Sequence, residues 1–305
     1  MKRRTIVLGL LGLVALVPAR SPEARSAAPK DPPAAKDPAN PFFALCFDIH
    51  DAKKRTLQQQ AEMLAELGYE GAAHTWLDGV PERIKTLDDK GLKLFQIYVR
   101  ASIDPKGPKY DPKLPEVIKL LKGRPTILGL LVSGGRPSDP AGDERAVAVI
   151  REIADMAAAS GVRVALYPHV GDWIEKTSDA VRVARKVDRR NVGAMFNMCH
   201  WLKVEGPGNL EPMLREAAPH LFVVTINGAD PPPGNWDRLI QPLGSGSFDV
   251  GRVLKLLHEL GYSGPIGVQC YGIGGDAREH LKRSISAWKK LSEKAASNDK
   301  SKSRQ

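Results

Sequence analysis

The sequence predicts a single-domain (β/α)8 TIM barrel over residues 42–294, and three observations carry that prediction. Short apolar runs alternate eight times with amphipathic stretches, the rhythm of a parallel sheet covered by helices. The repeating span is about 255 residues long, the usual size of one closed barrel. No glycine-rich GxGxxG turn follows the first run, which argues against an open, doubly wound sheet.

Each element has its own local signal. Phe42 to Asp48 reads as the first strand. Thr56 is a candidate N-cap for a helix to Leu67, with Leu57, Ala61, Leu64 and Ala65 on its apolar stripe and Gly68 at its stop. Gly71 to Trp76 is the second strand; its helix, Val80 to Lys90, has Pro81 in the first turn and Gly91 at the stop. The third strand, Leu92 to Val99, precedes a helix from Leu114 to Lys122. Thr126 to Val132 precedes a long helix from Asp143 to Ser160, and Val162 to Tyr167 a helix from Ser178 to Val187. Val192 to Phe196 is followed by Leu210 to Ala218, and Leu221 to Ile226 by Phe248 to Leu260. Pro265 to Cys270 is the eighth strand, before a last helix from Ala277 to Leu291.

The chain ends carry different signals. Lys2, Arg3 and Arg4 precede an unbroken run of apolar residues and glycine, Ile6 to Val17. Cleavage points follow at Val17-Pro18-Ala19 and at Ala24 to Ala28. This pattern predicts a secretory signal peptide over residues 1–27 and an exported protein, periplasmic or extracellular. The run falls short of the roughly 20 apolar residues of a membrane span, so no stable span is expected after cleavage. Residues 28–41, rich in Ala, Pro, Lys and Asp, predict a disordered linker, and the polar residues 295–305 a disordered tail.

Net charge is +10, but the basic residues are scattered. There is no arginine-rich helix and no basic strip interleaved with aromatics, which excludes nucleic acid as a partner. Cys46, Cys199 and Cys270 form no CxxC pair, which excludes a zinc ribbon. Each sits in or beside an apolar run and reads as a buried free thiol. An oxidising compartment leaves a disulfide among them open.

Barrels of this type bind ligands at the C-terminal ends of their strands. Those ends collect Asp48, His50, His74, Trp76, Gln96, Tyr98, Arg100, Ser133, Tyr167, His169, Asn197, His200, Trp201, Thr225, Asn227, Gln269 and Tyr271. Four of the 7 histidines fall there. Aromatic faces stack on sugar C–H surfaces while amides bond hydroxyls, so a small-molecule sugar or polyol is the expected ligand.

Two passages carry a family resemblance. Pro242 to Asp249 (PLGSGSFD), followed by Val253-Leu254 and by Leu260 to Ile266 (LGYSGPI), resembles the PLGxGxxD…L…GYxGxI passage of the xylose-isomerase-like barrels. Leu67 to Gly71 (LGYEG) is similar to the LGYDG before their second strand. The resemblance runs from about Phe43 to Trp288 and points to sugar phosphate isomerases and epimerases, inosose dehydratases and relatives of apurinic endonuclease IV.

That family implies a metal held by a glutamate on the fifth strand, an aspartate on the sixth with a histidine three residues on, a histidine near the seventh and a glutamate on the eighth. Here Tyr167 replaces the first glutamate, with His169 kept; Asn197 replaces the aspartate, with His200 kept. Thr225-Ile226-Asn227-Gly228 holds no histidine, and Gln269 stands for the last glutamate. The second-strand glutamate of many members is also missing, with Ala73 nearest. Neutral amides and a phenol supply little of the charge that holds Mg²⁺, Mn²⁺ or Zn²⁺.

The resemblance thus implies an isomerase or epimerase acting on a sugar without the usual metal or any other cofactor. His200 is the expected proton carrier, with His169 as its alternate and Tyr167 or Asn227 polarising the carbonyl. Asn197, Asn227, Gln269, His50, His74, Trp76 and Trp201 are the expected substrate contacts. A non-catalytic carbohydrate-binding barrel is the alternative. A metal site rearranged from His50, His74, His169 and His200 is a third reading, and their spacing matches no ligand motif.

Overall fold

The computed structural model describes residues 40–231 and 234–302. Its strands are β1 (Phe42–Leu45), β2 (Gly71–Thr75), β3 (Lys93–Ser102), β4 (Ile127–Ser133), β5 (Arg163–Leu166), β6 (Val192–Asn197), β7 (Leu221–Ile226) and β8 (Ile266–Gln269). They pair in chain order, all parallel, and β8 closes the barrel against β1. The helices between and after them are α1 (Leu57–Leu67), α2 (Val80–Asp88), α3 (Leu114–Leu120), α4 (Asp143–Ala158), α5 (Thr177–Val187), α6 (Met198–Val204), α7 (Leu210–Ala217), α8 (Trp236–Leu239), α9 (Val250–Glu259) and α10 (Ala277–Lys302). The expected barrel is therefore the observed one.

Strand periodicity explains both layers of the core. Successive side chains of a strand face opposite ways. Phe42 and Ala44 of β1 join the large apolar layer shared with the helices, while Phe43 and Leu45 join the barrel interior. Phe95, Ile127, Ala165, Met195 and Val223 join them there. This plugged interior confines a ligand to the C-terminal mouth.

The local signals act as read. Thr56 Oγ1 accepts from the Gln59 backbone N–H at 3.3 Å, and the Gln59 side chain accepts from the Thr56 N–H at 3.0 Å. This capping box starts α1, and Gly68 ends it at φ 84°. Gly71 has a steric reason to be glycine: a Cβ there would lie 1.9 Å from the Lys93 carbonyl oxygen. Gly71→Ala must push β2 away from β3, and we expect a loss of at least about 1–3 kcal/mol, the usual overpacking cost. Urea unfolding measures it, and an unchanged midpoint would contradict the packing described.

Four departures from the sequence reading matter. β1 ends at Leu45 and not at Asp48, because Cys46 takes a left-handed backbone at φ 54°. β3 runs on to Ser102, past the expected end at Val99, and so carries Arg100 to the mouth. α6 and α8 are short helices where loops were expected. α10 continues to Lys302, through most of the segment read as a disordered tail. Residues 292–302 contain neither Gly nor Pro, and Lys and Ser are their commonest residues, so no helix breaker stops α10 there.

The signal peptide expected over residues 1–27, and the expected linker as far as residue 39, lie outside the described residues. Asn40 is anchored, donating to the Tyr262 and Gly264 carbonyls at 3.1 and 2.8 Å. Cys46, Cys199 and Cys270 are buried free thiols. No described helix is long and apolar enough to cross a membrane.

Candidate functional site

A cavity of about 540 Å³ opens at the C-terminal mouth of the barrel. β3 brings Tyr98 and Arg100 to its wall, Tyr167 and His169 lie just beyond β5, and α6 adds His200. Gln269 and Tyr271 come from the end of β8, Trp236 from α8, and Cys46, Thr75 and Trp76 from the ends of β1 and β2. Trp76, Trp236 and Tyr271 expose 45%, 38% and 50% of their surface, among the largest values for apolar side chains in the described chain. Arg100 lies over the Trp76 ring and Lys203 over the Trp236 ring, each 5.6 Å from the centroid, and the surface left exposed on the three rings can stack on a ligand. No carboxylate lines the cavity, and Arg100 is its one permanently charged side chain. Two wall residues, Cys46 and Trp76, hold left-handed backbones at φ 54° and 69°, a strain that collects at functional sites.

A neutral hydrogen-bonded cluster forms the floor. Asn197 Nδ2 donates to the Tyr167 hydroxyl at 2.7 Å, and the Tyr98 hydroxyl lies 3.1 Å from that oxygen. The Cys199 thiol donates to Asn197 Oδ1 at 3.0 Å. With Asn197 and Tyr98 both donating, the Tyr167 oxygen has its own proton left to offer the cavity. Burial holds the hydroxyls of Tyr98 and Tyr167 well above the ordinary tyrosine range, so both stay protonated. Burial, with Asp48 nearby, pushes the Cys46 thiol up to about 12.

The two histidines stand side by side, ring centroids 4.2 Å apart. Burial, and then His169 beside it, holds His200 well below the ordinary range. His169 is also lowered by burial, against the opposing pull of Asp172, whose Oδ2 lies 3.7 Å from Nδ1. Asp172 in turn accepts from Arg100 Nη1 at 2.8 Å. Both rings are therefore neutral near neutral pH.

The structure places the expected site residues unequally. Tyr167, His169, His200, Gln269 and Trp76 line the cavity. Asn197 sits behind Tyr167 as its donor. Asn227 turns away: its Nδ2 donates to the Gly228 and Leu239 carbonyls at 2.8 and 2.6 Å, bracing the segment that carries Trp236. His74 points to the other face of β2 from Ala73, with Nε2 2.6 Å from the Asp78 carbonyl and Nδ1 accepting from buried Arg83 at 3.3 Å. Trp201 packs on Phe196 and Phe248 and donates to Asn209 at 2.8 Å. His50 lies exposed at the rim, edge-on to Tyr271 with centroids 4.9 Å apart. The four histidines thus converge on no common point. Trp236 escapes the sequence reading because α8 is too short for a periodic signal; a lone tryptophan after Pro231-Pro232-Pro233 was the available clue.

The residues at the family's metal positions do not fit a metal. Tyr167 and Asn197 spend their polar atoms on one another and on Tyr98 and Cys199. Gln269 Oε1 accepts from the Tyr271 N–H at 3.0 Å, and Thr225 and Asn227 carry no charge. Among the described residues no group of three His, Cys, Asp or Glu is placed to hold an ion.

Three comparisons bear on relationship. Curated proteins yield no match. A D-allulose 3-epimerase from Methylomonas sp. superposes with a TM-score of 0.65 at 16% identity, over 84% of this chain and 100% of that one. A 3-keto-D-glucoside 4-epimerase from E. coli gives 0.66 at 15% identity, over 82% and 99%. A magnesium complex of a xylose isomerase-like protein from Mycobacterium smegmatis gives 0.62 at 19%, over 84% and 98%. At such identities these likenesses speak for the fold alone. A family model matches residues 117–294, more than half of the sequence, and by it the chain belongs to the xylose isomerase-like TIM barrel family.

Proposed function

We propose that the protein is exported, binds a sugar or related polyol at the barrel mouth, and moves a proton on it without the family's divalent metal. One observation carries this reading: two neighbouring neutral histidines face an aromatic-rimmed cavity whose metal-holding positions are filled by neutral, hydrogen-bonded side chains. The epimerase names among the superposable structures support the substrate class. A non-catalytic carbohydrate-binding barrel is the second reading. It is favoured by Tyr167 and Gln269, which cannot act as carboxylate bases near neutral pH.

The test uses the mature protein against a panel of free sugars and polyols. A true ligand at tenfold above its Kd is expected to stabilise by about 1.4 kcal/mol. Solvent deuterium should then enter one of its carbon-bound positions, as read by NMR. Binding without exchange over a day decides for the carbohydrate-binding barrel. Failure of every compound to raise the Tm sinks both readings. Export is tested by fractionation: removing residues 1–27 should retain the protein inside a bacterial host.

A further inference from the structure

We infer that Val170 sets opposite tautomers in His169 and His200, so that the cavity offers an acceptor from His169 and a donor from His200, and takes an open-chain hydroxy ketone. This rests on the sugar-directed reading above and assigns its chemistry. The Val170 N–H donates to His200 Nδ1 at 3.3 Å. An N–H has only a proton to give, so His200 Nδ1 must present its lone pair, and in a neutral ring the single proton then sits on Nε2. The Val170 carbonyl lies 3.0 Å from His169 Nδ1. A carbonyl only accepts, so His169 Nδ1 carries the proton, and the Asp172 carboxylate 3.7 Å away favours it there. His169 Nε2 is therefore a bare lone pair. Neither Nε2 has a hydrogen-bond partner among the described residues, and both rings line the cavity. His169, not His200, becomes the base.

The step follows from that polarity. His169 Nε2 takes a proton from the terminal hydroxymethyl carbon next to the ketone. The C–H electron pair becomes the C=C bond of an enediolate, and the carbonyl π pair moves onto the oxygen, which accepts hydrogen bonds from His200 Nε2–H and the Tyr167 hydroxyl. His169 returns the proton to the former carbonyl carbon, and the hydroxyl proton passes to the other oxygen. The product is the aldose, and both rings end as they began. Epimerisation needs a second proton carrier on the opposite face of the carbon. Gln269, three strands round the barrel from His169, is an amide and cannot serve.

Nitrogen-15 histidine NMR of the wild-type protein reads the tautomers directly, with no ligand present. We expect His169 protonated on Nδ1 and His200 on Nε2, the signals being assigned by loss in His169→Gln and His200→Gln. The same tautomer in both rings, or the reverse pair, overturns the inference. In solvent deuterium with D-fructose, D-tagatose and D-ribulose as probes, His169→Gln should lose exchange by about 10²-fold or more. His200→Gln, which still donates, should stay within about tenfold, and His200→Phe should lose about 10²-fold. Exchange lost in His200→Gln but kept in His169→Gln, or an epimer as the labelled product, also overturns it. Opposite tautomers in a protein that exchanges no ketose proton would uphold the polarity and end the enzymatic reading, so the two failures are distinguishable.

Discussion

Trp173→Ala is expected to cost about 3–5 kcal/mol, the range for deleting a large buried aromatic, and to lower the Tm by on the order of 10 °C. Trp173 is fully buried and is the largest such side chain in the described chain. Its Nε1 donates to the Asp139 carbonyl at 2.9 Å, and the Arg182 guanidinium lies 5.7 Å from its ring centroid. A Cβ on Gly135 or Gly142 would come within 2.8 or 2.6 Å of the ring, so the loops around it are built to its outline. The backbone N–H groups of Trp173 and Ile174 both donate to the Val132 carbonyl of β4, at 2.8 and 3.2 Å. This pins the loop that holds His169, Val170 and Asp172. The same substitution should therefore weaken ligand binding as well as stability. Trp173→Phe, which keeps most of the volume, should lose far less. A Trp173→Ala protein with a Tm within 2–3 °C of wild type, less than about 1 kcal/mol for a barrel of this size, would show that the loop is held by other contacts.

The second large effect is a gain. Combining Tyr167→Glu, Asn197→Asp and Gln269→Glu puts three carboxylates at the mouth that Tyr167, His200 and Gln269 line. The oxygen of Tyr167 and the amide of Asn197 are 2.7 Å apart, so groups at these positions share one ion's reach. Without metal, three carboxylates in this partly closed mouth should destabilise the fold by several kcal/mol, since buried charges without partners are costly. Mn²⁺ or Zn²⁺ should then recover stability, by about 2.7 kcal/mol at a hundredfold excess over Kd. Wild-type protein should show no such rise. Thermal unfolding with and without added metal separates the two chains. An equal metal-dependent rise in wild type would show that the neutral side chains suffice.

The loss of carboxylates also changes which residue is central. With a metal, polarisation of a carbonyl belongs to the ion. In the reaction proposed above it would fall to Tyr167 O–H and His200 Nε2–H, whose protons are held by burial and by their other hydrogen bonds. His200 looks like the proton carrier in the sequence because it is a retained family position. In three dimensions its basic nitrogen is already spent on the Val170 N–H.

The sequence by itself determined the barrel. Its eight apolar runs, its caps at Thr56 and Gly68 and its close approach at Gly71 are local or periodic signals, written within a few residues of where they act. It also determined that the metal positions are neutral, because Tyr167, Asn197 and Gln269 can be recognised by alignment to motifs. Only the tertiary structure decided which rim residues meet. His74 and Trp201 sit in the right segments, yet the alternation along β2 sends one to its outer face and the turn of α6 sends the other into the helix layer. The length of β3, which delivers Arg100, and the placement of α8, which delivers Trp236, depend on pairing and packing partners far away in the chain. The tautomers are the clearest case. His169 and His200 lie 31 positions apart in the numbering of the chain, and the backbone of the residue between them in space, Val170, carries no side-chain signal at all.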